Sequence, residues 1–194
     1  IIIEELKKAK PNYSILSEED GTEINKDKEN FWIIDPIDGT TNFLHGVPHF
    51  SISIALRSGN EIISGLIYDP IKDEMFYAEK NNGAFLNNKR IRVSKKIDIN
   101  SCLFATGGQE DLDIKLITRK SGSAALDMAY VAAGRYDGYF QNKLNLWDVA
   151  AGIIIVREAG GIVNPIDLSK NDNIKIRASS SAINEKMLDK LSNF

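Results

Sequence analysis

The string Phe31-Trp32-Ile33-Ile34-Asp35-Pro36-Ile37-Asp38-Gly39-Thr40-Thr41 constrains this chain more than any other. Four consecutive apolar residues predict a buried strand. Pro36 has no N–H to give a ladder and so ends it. Gly39 permits an unusual backbone angle or a close ligand approach, and Thr40 is placed to cap a helix starting there. Two carboxylates, the Ile37 carbonyl between them and several free backbone N–H groups then share one tight turn. Magnesium takes oxygen ligands in a near-octahedral array and keeps several waters, while a phosphate takes N–H donors at a helix start. The heptapeptide from Asp35 to Thr41 offers both, which predicts a metal-assisted phosphate site. Any one of these residues is also an ordinary turn former; the chemical reading rests on the whole string.

The remaining composition narrows the metal and the partners. Cys102 is the only cysteine, and His45 and His49 are the only histidines. An intrachain disulfide and a four-ligand His/Cys zinc site are therefore excluded, and a metal held by carboxylates is a hard cation. The formal charge of −3 argues against broad nucleic-acid binding. With 43% hydrophobic and 26% charged residues, 194 residues suffice for one large globular domain or two small ones. No apolar run reaches the length of a membrane span. The chain opens at Ile1-Ile2-Ile3 and not at methionine, so residues are expected upstream.

Along the chain, residues 1–10 read as the end of an amphipathic helix, stopped by Pro11. Residues 13–16 form a short apolar run, 18–21 an acidic loop and 25–30 a solvated turn. Strands are expected over 31–35, 50–56, 62–68, 75–78, 84–86 and 91–93, with turns at Asn82-Gly83 and Asn87-Asn88. That part reads as an antiparallel sheet flanked by helix, an α+β layer spanning 1–99. From 100 to 194, strands at 102–106, 136–140 and 174–178 alternate with helices at 123–133, 148–159 and 184–191, an α/β pattern. Cys102, in an expected strand, reads as core.

Three further segments bear on chemistry. Asp148, in Leu146-Trp147-Asp148-Val149-Ala150-Ala151-Gly152, sits where an N-cap belongs. Capping alone explains it, although a helix start also suits a metal-bound carboxylate. Ser17-Glu18-Glu19-Asp20 is by itself a solvated acidic loop. Ser121-Gly122-Ser123-Ala124-Ala125 opens a helix with small side chains, which suits either exposed N–H groups facing a ligand or close helix packing.

Together these strings resemble the inositol monophosphatase family in its bacterial form. The resemblance covers nearly the whole chain. It rests on Trp32 to Phe43, on Gly122-Ser123-Ala124-Ala125-Leu126-Asp127, and on Trp147-Asp148-Val149-Ala150-Ala151-Gly152 with Arg157-Glu158-Ala159-Gly160-Gly161. It implies a layered α/β/α/β/α sandwich and a phosphatase that uses magnesium, two or three ions to a site, and is inhibited by lithium. It further implies a cytoplasmic homodimer. Residue by residue, it makes Glu18 a metal ligand that helps orient the attacking water. Asp35 bridges two ions, and the Ile37 carbonyl joins the first. Asp38 binds the second ion and touches substrate hydroxyls. Gly39 and Thr40 offer N–H groups to phosphate, with the Thr40 hydroxyl positioning the water. Asp148 completes the second metal site, and Gly122, Ser123 and Ala124 line the polyol side.

Departures from the family pattern bear on substrate. Gln141, seven residues before Asp148, stands where the family commonly has a glutamate that contacts inositol hydroxyls. Ionised glutamate only accepts hydrogen bonds, whereas glutamine donates and accepts. Ser17 replaces a usual glycine. The family's upstream helix and Thr-Asp element are missing, and the run Gln109-Glu110-Asp111 sits in a stretch about one helix shorter than expected. The first expectation is hydrolysis of inositol monophosphate or a similar polyol phosphate. The alternatives are relatives acting on fructose 1,6-bisphosphate, histidinol phosphate or 3′-phosphoadenosine nucleotides. A binding role with the transcription machinery belongs to a different class.

Overall fold

A computed structural model describes residues 1–107 and 116–191. Helix α1 (Ile2–Ala9) precedes strands β1 (Tyr13–Ser17), β2 (Gly21–Glu23) and β3 (Asp27–Asp38). Helix α2 (Thr40–Leu44) leads into a run of strands: β4 (Ser51–Ser58), β5 (Glu61–Asp69), β6 (Glu74–Glu79), β7 (Gly83–Leu86) and β8 (Lys89–Arg90). Then come β9 (Leu103–Ala105), β10 (Ile117–Arg119), α3 (Ala124–Ala132), β11 (Gly138–Leu144) and α4 (Leu146–Glu158). The last elements are β12 (Gly161–Val163), β13 (Ile174–Ser180) and α5 (Asn184–Lys190). Among the described residues the strands form an eight-stranded sheet, β2-β1-β3-β4-β5-β6-β7-β8, and a five-stranded sheet, β10-β9-β11-β13-β12.

Burial explains the stacking of these layers. Every residue of α3 is buried, and α4 is apolar almost all round, the pattern of helices enclosed on several sides. The pair fills the space between the sheets: α4 packs on β4, β5 and β6 on one side and on β12 and β13 on the other. Gly65 permits the approach of α4 to β5, since a Cβ there would lie 2.6 Å from Ile154 Cγ2 and 2.7 Å from the Ala151 carbonyl oxygen. Side chains alternate across a strand, so Leu16 and Ile33 join this inner core. Ile15 and Ile34 face outward, where α1 brings Ile2 and Ile3 over them. On the far face of the second sheet Ile183, Met187 and Leu191 close over Cys102, Phe104 and Phe140. The result is the five-layer α/β/α/β/α sandwich, with Cys102 fully buried. Among the described residues no helix is long and apolar enough to cross a membrane.

Several boundaries differ from the sequence reading. Residues 25–30 are no simple turn: β3 already begins at Asp27 and pairs in parallel with β1, so the first sheet is mixed. Pro36 does not end β3 either. The pairing with β4 shifts between Asp35 and Asp38 and resumes at Asp38 with Ser51, so the proline occupies a bulge, where its missing N–H is tolerated. Residues 91–93 are not a strand; the last strand of the first sheet is β8. The short strands β2, β8, β10 and β12 are not among those the sequence predicts. The Gln109-Glu110-Asp111 run lies outside the described residues.

Candidate active site

Each carboxylate arrives on a different stretch of backbone. Glu18 is the exposed residue after β1, and Ser17 pairs with Ile34 in the parallel ladder. The Glu18 N–H donates to the Ile34 carbonyl at 3.2 Å, which sets Glu18 beside Asp35. Asp35 closes the regular part of β3, and Asp38 lies beyond the bulge. Asp148 stands in the first turn of α4. It is not the N-cap: Asn145 holds that place, and its N–H donates to Asp148 Oδ2 at 2.7 Å. The acidic half of a capping box thus orients the side chain. Thr40 is not a cap either. Gly39, at φ +92°, is the N-cap of α2, and the Thr40 hydroxyl donates to the Ile37 carbonyl at 3.0 Å.

Asp38, Gly39 and Thr40 meet Gly122, Ser123 and Ala124 around a cavity of about 270 Å³ that Gln141 and Asp148 also line. Asp38 is almost wholly buried and is received by the start of α3. The Ser123 hydroxyl and the N–H groups of Ala124 and Ala125 (3.2 and 3.1 Å) donate to its carboxylate, as does Ser51 Oγ at 3.3 Å. Burial still pushes Asp38 up to about 6, with these bonds pulling the other way. Asp35 is 2% exposed and accepts one N–H, from Ile37 at 2.9 Å. Burial raises it to about 9, helped by the charges of Asp38 and Glu18, a hydrogen bond with Glu18 and the charge of Asp148. Burial also lifts Asp148 to about 7; the Asn145 bond opposes this, while Asp38 and Glu18 add to it.

Four carboxylates therefore feel one another, and no lysine, arginine or histidine stands among the leading causes of these shifts. Buried like charges without a counter-ion are costly. The donors on offer are carboxylate and carbonyl oxygens, the set a hard divalent cation takes. As they stand, however, Asp38 is turned onto α3. Among the described residues no three His, Cys, Asp or Glu side chains are gathered closely enough to hold an ion. Glu18, Asp35 and Ile37 do not line the cavity; they reach it through the charge of Asp38 and through Thr40. The donor chemistry fits magnesium, and the shell is unclosed.

Sequence reasoning missed Asp127, which lines the same cavity at 1% exposure. Burial raises its carboxyl well above the usual range, against the pull of a hydrogen bond from Ser121 Oγ at 2.7 Å. An acid within a run of small apolar helix residues was the available signal. Gln141 accepts a hydrogen bond from the Tyr139 hydroxyl at 2.6 Å, which occupies Oε1. Trp147 packs against the core beside Asp148.

Comparison with known proteins bears on this geometry. The model of the Inositol monophosphatase family matches residues 1–193. An inositol-1-monophosphatase of Mesorhizobium japonicum is 41% identical, over 97% of this chain and 77% of its own. A protein of Haemophilus influenzae named Nus factor SuhB is 44% identical, over 98% of this chain and 78% of its own. The crystal structure of the extragenic suppressor protein suhB from Bartonella henselae superposes with a TM-score of 0.91 at 44% identity, covering 98% of this chain and 84% of that one.

Proposed function

This chain belongs to the inositol monophosphatase family, and on that premise we propose that it is a magnesium-dependent phosphatase acting on inositol monophosphate or a closely similar polyol phosphate. Phosphoric monoester hydrolysis is the activity of the family; the metal, the substrate and the residue roles are our reading. The observation that carries it is the cavity on which the Asp38-Gly39-Thr40 turn, the start of α3 and Asp148 converge, with Asp35 buried behind and, among the described residues, no cation in the leading causes of its raised carboxyl.

Glu18, Asp35, the Ile37 carbonyl, Asp38 and Asp148 would hold the ions. Bound magnesium supplies a lowered water pKa and neutralisation of the developing negative charge. The chain itself does the positioning. The first N–H groups of α2, at Gly39 and Thr40, have no partner within the helix and anchor phosphate oxygens. The Thr40 hydroxyl spends its proton on the Ile37 carbonyl, so its oxygen is left to accept a hydrogen bond from the attacking water. Ala124 and Gln141 contact the alcohol portion. Little covalent chemistry is required, because orientation and charge stabilisation carry most of the barrier reduction in phosphoryl transfer.

Purified protein should release phosphate only with magnesium, and lithium should inhibit. Asp38→Asn should abolish release while circular dichroism shows the native fold. Normal turnover in that variant would refute the site assignment. A second reading, a regulatory role with the transcription machinery, draws on the relatives named Nus factor SuhB. Co-purification of RNA polymerase that persists in Asp38→Asn would support it. We further propose a cytoplasmic homodimer, which sedimentation and fractionation test.

A further inference from the structure

One side chain ties together the backbone segments that build the proposed phosphate cradle, and it does so without touching the cavity. Asn42, half-buried on α2, donates both N–H bonds of its amide: one to the His49 carbonyl at 2.8 Å, the other to the Ser121 carbonyl at 2.9 Å. Its own main-chain carbonyl accepts the Val47 N–H at 2.9 Å. Three segments are thereby joined: α2, the connection into β4, and the loop before α3, which lies 79 residues away in sequence.

The backbones at this junction are in contact. Gly39 and Gly122 both have positive φ, +92° and +87°, where side chains are strained. A Cβ on Gly39 would lie 3.1 Å from the Gly122 carbonyl oxygen and 3.2 Å from that of His49. A Cβ on Gly122 would lie 2.8 Å from Asn42 Nδ2. Behind the loop, the Ser121 hydroxyl donates to buried Asp127 at 2.7 Å and accepts the Ser123 N–H at 3.3 Å. Ser123 in turn carries the hydroxyl that donates to Asp38. A continuous path therefore runs from Asn42 through Ser121 to Ser123 and Asp38. It fixes the Gly39-Thr40 amides relative to the start of α3.

We propose that Asn42 is a positioning residue for phosphoryl transfer, holding the Gly39-Thr40 amides in register with the helix start that orients Asp38. This rests on the phosphatase reading above. Alignment enters the rate steeply: a misplacement of about 1 Å can lower turnover by roughly 100-fold. Losing the Asn42 donors should thus act on kcat and on binding of inorganic phosphate. The affinity for magnesium should change little, because Asp38 keeps its own bonds from Ser123, Ala124 and Ala125, none of which these substitutions removes.

The test compares wild type with Asn42→Ala, which removes both donors, Asn42→Asp, which keeps the volume but sets carboxylate oxygens against two carbonyls, and Asn42→Ser, which restores one donor. Measured quantities are kcat and KM for a phosphomonoester, the inhibition constant of inorganic phosphate, the magnesium activation constant and circular dichroism. We expect kcat to fall about 30- to 100-fold in the Ala and Asp variants and to recover partly in Ser. Phosphate inhibition should weaken in step, with the magnesium constant within about threefold. Folded variants with near-normal kcat and phosphate inhibition overturn the proposal, as does a loss confined to the magnesium constant. Unfolding of all three also overturns it, since Asn42 would then serve the fold. Wild-type protein inert on every phosphomonoester overturns the underlying reading, and this inference falls with it.

Discussion

Asp35→Asn should make the metal-free protein more stable at neutral pH while destroying its response to magnesium. Asp35 is 2% exposed and its carboxyl is raised from 3.8 to about 9, burial being the first cause. A carboxyl with a folded value above its unfolded one binds its proton more tightly when folded. Its favourable contribution is therefore complete below pH 4 and is lost as pH rises toward 9. At pH 7, holding such an acid protonated across the three or so pH units above 3.8 costs about 4 kcal/mol, at about 1.36 kcal/mol per unit. Local relaxation and water entry return part of this, so we expect a gain of about 2–4 kcal/mol for the neutral isostere. Asparagine retains an oxygen to accept the Ile37 N–H, so that bond need not be lost. In a chain of 194 residues such a gain raises Tm by roughly 4–16 °C. The assay is thermal and urea unfolding in EDTA from pH 5 to 9. The wild-type curve should slope downward with pH, and that of the variant should be flatter. Magnesium at about 100 times its Kd should then stabilise wild type by about 2.7 kcal/mol and the variant by far less. An Asp35→Asn protein that melts at or below the wild-type temperature at pH 8 in EDTA would refute the premise that this carboxylate is buried without a counter-ion.

Two other perturbations probe substrate and packing. Gln141→Glu exchanges the amide beside the Tyr139 hydroxyl for a hydroxyl-accepting carboxylate, and a charge-assisted hydrogen bond is worth about 1–2 kcal/mol more than a neutral one. The kcat/KM ratio of inositol monophosphate to fructose 1,6-bisphosphate should rise roughly 5- to 30-fold; an unchanged ratio would remove Gln141 from substrate selection. Gly65→Ala forces a methyl against Ile154 and the Ala151 carbonyl and should destabilise by about 1–3 kcal/mol in urea unfolding. No loss there would mean that α4 is less closely seated on β5 than these distances imply.

What could be read from sequence was the chemistry fixed by local backbone. Asp35 to Thr40 are consecutive residues running through the β3 bulge into the start of α2, so their proximity needs no tertiary information. Asp148 was found at the right helix but assigned the wrong position. Asn145 and Asp148 are both good caps, and only the structure shows that Asn145 is the N-cap and Asp148 the N3 acid that accepts its N–H. Residues 91–93 failed for a different reason. Ile91 and Val93 do pack against the core, so their alternation is real, but the Val93 N–H bonds to the Ala159 carbonyl at the end of α4 and not to a strand. Strands of three residues, such as β10 and β12, are too short to carry a period. The beginning of β3 was hidden because Asp27 and Asn30 are polar turn formers, and here the Asp27 carboxylate does take the Glu29 and Asn30 N–H groups within a paired strand. Asn42 lies inside the Trp32–Phe43 string with nothing in sequence to mark its role, since its two acceptors are main-chain carbonyls.

The middle layer explains how so acidic a site is tolerated. Helices α3 and α4 are among the most apolar elements of the chain, yet each begins at the cavity. Their bodies are held by core burial between the sheets, so their starts are rigid, and the positive end of a helix dipole favours a nearby carboxylate. Asp38 is received by the start of α3, and Asp148 belongs to the first turn of α4. The packing that stabilises the fold thereby also sets the spacing of these two acids. Substitutions that shift α4 along β5, Gly65→Ala among them, should then lower kcat by displacing Asp148 from Asp38, even in molecules that remain folded. Turnover per folded molecule equal to wild type in Gly65→Ala would show that the site's spacing is set elsewhere.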